Sequence, residues 1–340
     1  MKFEAVTIKD IAKALGLSTS TVSRALRDSY EISPETKQRV LEYAQKINYQ
    51  PNPIALSLKE RKSRSLGVIV CEIANSFFSQ VINGIESVAN ERAYNIIIAQ
   101  SHDSAGRELS DLQFLASRSV DGIIMSVGSE TSDYNFLKEL TEKGLPIVFF
   151  DRIVPGIETH KVIADNTVGA YEAVSHLIKK GYRHIAAIAN AEGLSITQER
   201  IAGYKQALAD NGLPVQESLI QYCQHGGLVH DELQQAFQQL WKQKKKPDAI
   251  FAAADKLTTG CLRILKQKKI KVPDEVALIG FSNNDLTELL DPPLSIIKQP
   301  AFEMGVAATA LLLQVIESKR PVTEFETRVL PTELIIRKSS

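Results

Sequence analysis

The sequence predicts a small all-α head with a helix-turn-helix, followed by an α/β body of two doubly wound parallel-sheet lobes. Three helix-start signals occur within the first 35 residues. From residue 66 onward, apolar strand-like runs alternate with helical segments, which is typical of parallel sheets covered by helices on both faces. Eight such runs are too many for one mononucleotide-type sheet, so two similar lobes are expected.

Capping residues predict where the helices of the head begin and end. Thr7 and Asp10 form a T-x-x-D capping signal for the first helix. Gly16 can take the left-handed conformation that ends a helix, and Ser18 is the next N-cap. The segment 33–35 combines a serine cap, a proline at the first helical position and an acid in the first turn.

Apolar residues at helical spacing give each of these helices an inward face. Three short helices, the first two joined by a tight glycine turn, form a helix-turn-helix pattern. The predicted inward residues are Ile11, Ala12 and Leu15, then Val22, Ala25 and Leu26, and finally Val40, Leu41, Ala44 and Ile47.

The second helix opens with four consecutive hydroxyl residues, and capping accounts only for the first of them. Small side chains let a helix enter a major groove about 12 Å wide, and the free N–H groups of its first turn can face a phosphate. A plain capping run on a surface helix is the alternative. The predicted phosphate contacts are Ser18, Thr21 and Ser23, and the predicted base contacts are Thr19, Ser20 and Arg24.

Residues 51–65 have the character of a segment that needs a partner in order to fold. Pro51 and Pro53 break the third helix, and the run 54–58 is too short for an isolated helix, which needs ~12–15 residues. Leu58 is apolar without a core of its own, which fits a wedge inserted into a minor groove. A flexible linker with solvated charges is the alternative.

The net charge of zero hides an asymmetry between the two ends of the chain. The first 65 residues hold 12 Lys or Arg and 7 Asp or Glu, whereas the remaining residues hold 28 and 33. A basic arm on an acidic body indicates a nucleic-acid partner for the arm, with chance as the alternative.

Composition and motif content exclude several classes of protein. A hydrophobic share of 44% suits packed cores, and no apolar run approaches the ~18 residues of a membrane span. With no apolar signal region at its start and three widely spaced cysteines, the sequence predicts a cytoplasmic protein without a membrane segment or disulfide framework. No phosphate loop, nucleophile elbow or dinucleotide motif occurs, so we expect neither an enzyme nor a cofactor. His225, His230 and Glu232 match no standard metal spacing, so no metal is expected.

Polar residues follow many of the strand-like runs, where parallel sheets bind their ligands. Two facing lobes with such residues describe a cleft for a small polar molecule. A strand-end turn or a helix cap is the alternative for each position. These candidates are residues 75–78, Ser126, Asp151, Asp165, Asn166, Asp255, Ser282 and Asn283.

Four segments resemble, in order, the lac repressor / gal repressor family of bacterial transcription regulators: "TIKDIAKALGLSTSTVSRALR", "VSHLIKKGYRHIA", "ERIAGYKQAL" and "DPPLSIIKQPAFEMG". The resemblance covers nearly the whole chain. It implies a homodimeric repressor on a near-palindromic double-stranded operator, with a periplasmic-binding-protein-like body that holds a small-molecule effector. The family's tetramer-forming C-terminal heptads have no counterpart, so a dimer is expected. A solute-binding protein and a sugar-modifying enzyme of the same architecture are the alternatives.

The resemblance also implies site residues. It matches Thr19, Ser20 and Arg24 to major-groove readers, and Leu58 to a leucine inserted into the central minor-groove step. The remaining implied DNA contacts are Thr7, Ser18, Thr21, Ser23, Asn52 and Ala55. The implied effector contacts are Phe77, Phe78, Ser126, Asp151, Asp165, Arg200, Asp255 and Ser282.

Two departures from the family bear on the effector. Many sugar-responsive relatives have an Asp where this chain has Ser282, and an Asn where it has Ala254. These changes favour a charged ligand, such as a sugar acid or sugar phosphate, with Arg200 as its anchor, over a neutral sugar. Whether the effector induces or corepresses stays open.

The predicted domains are a helix-turn-helix domain over 1–50, a hinge helix and linker over 51–65, and an effector-binding and dimerisation domain over 66–340. Within the last of these, the first lobe is expected to span about 66–163 and 295–322, and the second about 164–294 and 323–340.

Overall fold

The computed structural model describes residues 6–49 and 62–340, and the chain divides into two compact units, Met1–Arg64 and Ser65–Ser340. The predicted DNA contacts Asn52, Ala55 and Leu58 lie outside the described residues.

The head contains the three predicted helices, α1 (Ile8–Leu15), α2 (Thr19–Ala25) and α3 (Pro34–Lys46). The backbone N–H of Thr7 donates to Asp10 Oδ2 at 2.8 Å, which confirms the first capping signal. Gly16 ends α1 with a φ of 67°, and Ser33 Oγ accepts a hydrogen bond from the third residue of α3.

The core of the head is small and lies between the three helices. Ile11, Val22 and Val40 are fully buried in it. The prediction was wrong for Leu41, whose side chain is 47% exposed. Val40 and Ala44 already define the inward line of α3, and a helix turns by about 100° per residue, so Leu41 points away from that line.

The first lobe of the body is a six-stranded sheet with the strand order β11-β5-β4-β3-β1-β2, parallel throughout. Its strands are β1 (Ser65–Val70), β2 (Asn95–Gln100), β3 (Gly122–Met125), β4 (Ile147–Phe150), β5 (Lys161–Ala164) and β11 (Thr327–Leu330). Its helices are α4 (Ser76–Glu91), α5 (Ala105–Ser117), α6 (Asn135–Glu142) and α11 (Ala301–Glu317).

The second lobe repeats this plan with the strand order β12-β10-β9-β8-β6-β7, in which only β12 runs antiparallel. Its strands are β6 (Ile185–Ala189), β7 (Ile220–Tyr222), β8 (Ala249–Ala252), β9 (Ala277–Phe281), β10 (Ser295–Lys298) and β12 (Glu333–Ile335). Its helices are α7 (Asn166–Lys179), α8 (Ser195–Asp210), α9 (His230–Trp241) and α10 (Asp255–Gln267).

The chain passes between the lobes three times, as the expected boundaries require, but two of the passages lie later in the sequence than expected. β10 was expected in the first lobe, but it pairs in parallel with β9 of the second. β11 was expected in the second lobe, but it pairs in parallel with β5 of the first. The passages follow β5, β10 and β11, so each lobe is completed by a strand from the end of the chain. No helix in the described ranges has both the length and the apolar character needed to cross a membrane.

Helices α4 and α11 cross with their backbones in contact at Gly84 and Gly305. A methyl group on Gly84 would overlap the carbonyl oxygen of Phe302, and one on Gly305 would overlap that of Val81. We therefore expect Gly84→Ala to lower the free energy of unfolding of the body by about 1–3 kcal/mol, because the two helices must separate.

Gly106→Ala is the matched control for this prediction in a denaturant titration. Gly106 lies in the first turn of α5 with no atom within 4 Å of an added methyl. Alanine there should leave the body as stable or raise its stability by about 0.5–1 kcal/mol. Equal destabilisation by both substitutions would contradict close packing as the cause.

Candidate functional site

The first candidate site is the exposed face of α2 in the head. Ser18, Thr19 and Ser20 are exposed at its amino end. Ser18 Oγ accepts a hydrogen bond from the N–H of Thr21 at 3.0 Å and lies 2.7 Å from Ser20 Oγ. Capping by Ser18 therefore fixes where the helix begins. Thr19, by contrast, has no hydrogen bond to another described side chain and faces solvent. The first turn presents a row of small polar groups to a partner.

Three other predicted DNA contacts of the head already have intramolecular partners. Arg24 Nη1 forms an ion pair with Glu31 Oε2 at 2.7 Å. Ser23 Oγ accepts a hydrogen bond from Arg27 at 2.7 Å, and the hydroxyl of Thr7 donates to Asp10. These contacts are exposed, and an exposed ion pair is worth only about 0.2–1 kcal/mol, so exchange for a phosphate or a base costs little.

The second candidate site lies where the carboxyl ends of the two sheets of the body meet. Polar contacts join the lobes there and hold them closed on each other. Lys256 Nζ bonds Glu72 Oε1 at 2.6 Å, Asn283 Nδ2 bonds Gln80 Oε1 at 2.9 Å, and Gln299 Nε2 bonds Asp151 Oδ1 at 3.1 Å.

A cavity of about 60 Å³ lies between the lobes, beside the Lys256–Glu72 pair. Ligand pockets usually measure about 300–1,000 Å³, so the lobes must move apart before this space admits a sugar-sized molecule. Phe78 and Asp255 are the two effector contacts implied by the family resemblance that line the cavity, and the strand-end candidate Asn75 lines it as well. The other lining residues include Glu72, Asp103, Arg152, Asn190, His225 and Lys256.

A buried ion pair between Arg152 and Asp103 forms the wall of the cavity on the first lobe. Burial alone would raise the pKa of Asp103, but the guanidinium of Arg152 and the N–H of Ser129 hold the pKa below its usual value. Arg152 Nη1 also donates to Cys71 Sγ at 3.2 Å. Burial raises the pKa of the Cys71 thiol, so this cysteine stays protonated.

The wall on the second lobe is built around Asp255. Its carboxylate accepts a hydrogen bond from Ser282 Oγ, and burial raises its pKa. Ser282 therefore holds the carboxylate of Asp255 in place through this hydrogen bond, and it does not itself line the cavity. Asn190 follows β6, and both Asn190 and Gly226 line the cavity. The amide of Asn190 packs against Gly226, where a Cβ would overlap it.

Several predicted effector contacts are not among the residues that line the cavity. Phe77 is buried in the core of the first lobe, and Asp165 caps α7 by accepting a hydrogen bond from Val168. Ser126 is buried, and its hydroxyl makes no hydrogen bond to another described residue. Asp151 faces Gln299, as described above.

Arg200 is also not among the residues that line the cavity. Its guanidinium is stacked 3.8 Å over the ring of Phe281. It donates to Asn166 Oδ1 and to the carbonyl of Ala253, both at 2.8 Å. Burial lowers the pKa of Arg200 to about 10. The side chain thus joins α7, α8 and β8 within the second lobe.

His225 contacts carboxylates from both lobes. Its Nδ1 lies 2.6 Å from Glu232 Oε1 in the second lobe, and its Nε2 lies 3.7 Å from Glu130 Oε1 in the first. The hydrogen bond to Glu232 raises the pKa of His225, and the charges of Glu130 and Asp103 raise it further, whereas partial burial lowers it.

We therefore expect the contribution of His225 to stability to be largest at low pH. Because its pKa is raised in the folded protein, the contribution is fully present below the ordinary histidine value of about 6.5 and is lost as pH rises through the folded pKa. Thermal unfolding of the protein and of His225→Gln should differ most near pH 5.5 and converge by pH 9. A difference independent of pH would contradict a charged bridge between the lobes.

Together, the two sites define the class of protein. A helix-turn-helix head with an exposed polar helix, joined to a two-lobed α/β body with an interlobe cavity, is the architecture of a DNA-binding transcription regulator with a sensor body.

Comparison with known proteins agrees with this class. Residues 7–52 match the model of bacterial regulatory proteins of the lacI family, and residues 174–340 match a periplasmic binding protein-like domain. The transcriptional repressor CytR of Escherichia coli (strain K12) is 34% identical over 337 residues, which cover 99% of this chain and 96% of CytR. The chain belongs to the lacI family and is a transcription regulator, not an enzyme.

Two solved structures show the same fold over almost the full length. The regulator CelR in complex with cellobiose is 29% identical with a TM-score of 0.73, covering 98% of this chain and 100% of CelR. The lac repressor dimer bound to operator is 22% identical with a TM-score of 0.84, covering 99% of both chains, and it supports the fold alone.

Proposed function

We propose that this protein is a repressor that binds a near-palindromic operator as a homodimer and releases or holds it in response to a small molecule bound between the lobes. The exposed polar face of α2 supports the DNA half of the proposal. CytR, its full-length relative, is a transcriptional repressor. The proposed base contacts are Thr19, Ser20 and Arg24. The proposed backbone and minor-groove contacts are Thr7, Ser18, Thr21, Ser23, Asn52, Ala55 and Leu58.

We propose that the effector is a neutral, hydroxyl-rich molecule such as a sugar. The balance of charges in the cavity supports this proposal. Among the described residues lining the cavity, each cationic side chain faces a carboxylate: Arg152 faces Asp103, Lys256 faces Glu72, and His225 faces Glu232. An anionic ligand would have to displace one of these partners. Hydroxyl groups, by contrast, can both donate to carboxylates and accept from Arg152 and Asn190.

This proposal replaces the prediction that the effector is a sugar acid or sugar phosphate bound by Arg200. Two of the nitrogen atoms of Arg200 already donate to Asn166 and Ala253, and Arg200 is not among the residues that line the cavity. CelR, a relative with the same fold, binds the neutral sugar cellobiose. Of the predicted effector contacts, we propose Phe78 and Asp255 as direct ones. We propose Phe77, Ser126, Asp151, Asp165, Arg200 and Ser282 as supports of the walls.

The switch would act through the contacts that join the lobes. A ligand shifts the closed arrangement only if it binds one arrangement better than another. A sugar that bridges Asp103 on the first lobe and Asp255 on the second would satisfy that condition, because it adds contacts that exist only when the lobes are close.

The test is a thermal-shift screen of the full chain against neutral sugars, sugar acids, sugar phosphates and purines. A ligand at 100 times its Kd adds about 2.7 kcal/mol of stability. We expect a response among the neutral sugars, lost in Asp255→Asn and kept in Asp133→Asn. Asp133 is an exposed control whose hydrogen bond to the Asn135 N–H an asparagine can keep. A response confined to acids or phosphates would overturn the neutral-ligand proposal.

A further inference from the structure

A strongly basic surface lies at the edge of the second sheet opposite the cleft. The strands β6, β8 and β9 are neighbours in that sheet and run parallel, so all three begin at this edge. The helices α7, α9 and α10 end here, each just before one of these strands. We call the three segments 179–183, 242–246 and 266–271, which contain helix ends and the residues that follow them, the basic edge.

The first segment of the basic edge contributes Lys179, Lys180 and Arg183, and all three are exposed. The second segment contributes four exposed lysines, Lys242 and the run 244–246.

The third segment contributes Lys266, Lys268, Lys269 and Lys271, which are also exposed. Within the part of the chain that the structure describes, none of these eleven side chains forms an ion pair. A body that carries five more acids than bases over residues 66–340 therefore concentrates positive charge at one edge.

Hydrogen bonds hold the segments of the basic edge beside one another. Asp248 Oδ2 accepts from the N–H of Arg183 at 3.0 Å, and the carbonyl of Asp248 accepts from Ala277 at 3.0 Å. His184 Nε2 lies 2.9 Å from the carbonyl oxygen of Lys245. Neighbouring strands are about 4.8 Å apart, so the lysines that precede three adjacent strands form one continuous surface.

Helix C-termini attract cations, but this effect does not account for the basic edge. The attraction is confined to the last turn, whereas residues 244–246, Lys269 and Lys271 lie beyond the ends of their helices. α8 ends at the same edge and has the acidic Asp210 in its last turn. The exposed acids of the basic edge and its surroundings, such as Asp274 and Glu275, are fewer than the eleven bases.

We propose that the basic edge binds the phosphate backbone of a second DNA duplex while the head is on its operator. Lysines on loops act as point charges that suit a regular row of phosphates and carry no sequence preference. The aromatic residues next to them, Tyr182 and Trp241, are half-buried, so no stacking platform for single strands is formed by these two. Duplex DNA is also the polyanion to which a regulator of this family is already tethered.

The proposal is tested with the full chain in a two-duplex capture assay. Operator DNA is immobilised in excess over the protein, so that the heads are occupied, and a labelled duplex of unrelated sequence is then added at 50–200 mM salt. The test variant is Lys244→Gln/Lys245→Gln/Lys246→Gln. The control is Lys138→Gln/Lys143→Gln/Lys319→Gln, which removes the same charge from exposed lysines elsewhere on the body.

We expect the protein to capture the second duplex, with a loss of tenfold or more in the test variant and less than twofold in the control. The slope of log affinity against log salt should become shallower by about 0.9 for each phosphate contact removed. Binding to the immobilised operator should be equal in all three proteins. Absence of capture at 50 mM salt, or equal loss in both variants, would overturn the proposal. So would lysine-dependent capture of phosphatidylserine vesicles or polyglutamate without capture of duplex.

Discussion

Arg152→Met should lower the free energy of unfolding of the body by about 3–5 kcal/mol, because it leaves a buried carboxylate without its partner. Asp103 is 4% exposed, and Arg152 is the cation that holds its pKa below the usual value. Without the guanidinium, Asp103 must either stay charged in the interior or take up a proton. The loss of stability should therefore shrink as the pH falls below about 5.

The control for this prediction removes both charges. Asp103→Asn/Arg152→Met keeps an oxygen that can accept from the N–H of Ser129, so it abolishes the ion pair without orphaning that donor. We expect the double variant to recover more than half of the stability lost in Arg152→Met, as measured by urea denaturation followed through the body. If the single substitution costs less than 1 kcal/mol, the ion pair is not the element that holds this wall in place.

The same double variant separates stability from ligand recognition. Both residues line the cavity, so a folded protein without them should lose its response to the effector. If the double variant recovers stability but not the ligand response, the Arg152–Asp103 pair both stabilises the first lobe and presents polar atoms to the ligand.

Local signals were sufficient to predict the head. The Thr7 and Ser18 caps and the Gly16 turn depend only on residues close to them in the sequence, so the sequence alone predicts them. Leu41 was the exception, because Val40 and Leu41 are adjacent apolar residues and the sequence pattern did not show that only Val40 faces the core. The eight strand-like runs were also confirmed, since buried parallel strands are continuously apolar.

The cavity was harder to predict, because its contacts join distant positions. Arg152 and Asp103 are 49 residues apart, and Lys256 and Glu72 are 184 residues apart. No periodicity links such pairs, although each of the four follows or flanks the end of a strand. The strand-end rule therefore located the right edge of each sheet, but it could not distinguish a residue that lines the cavity from one that supports it, such as Ser282.

The lobe boundaries failed for a related reason. β10 and β11 are both short, and neither carries a turn signal that reports which sheet it will join. Their exchange between the lobes moves two of the three passages toward the end of the chain. This places the joints between the lobes on the side of β5, β10 and β11, while the polar contacts of Glu72 and His225 lie on the opening that must widen for a ligand.

Operator affinity should fall by about 10³–10⁵ as salt rises from 50 to 200 mM, the range for six to ten phosphate contacts. The first 65 residues, which include the head and the predicted hinge, carry the positive excess of the chain, and the polar face of α2 is exposed. The measurement is a salt titration of binding to the operator and to a duplex of unrelated sequence. A salt dependence below one log unit would contradict a binding mode dominated by phosphate contacts.

Arg24→Met tests, in the same titration, whether this side chain reads a base. A bidentate contact to guanine is worth about 1–3 kcal/mol of discrimination, so operator affinity should fall about 5- to 150-fold while binding to unrelated duplex changes little. The salt slope should stay the same, because no phosphate contact is lost. Arg39→Met on α3 is the control, since it removes an equal and exposed charge from the same head. If Arg24→Met instead makes the slope shallower by about 0.9 and weakens both duplexes alike, Arg24 contacts a phosphate, and specificity must come from Thr19 and Ser20.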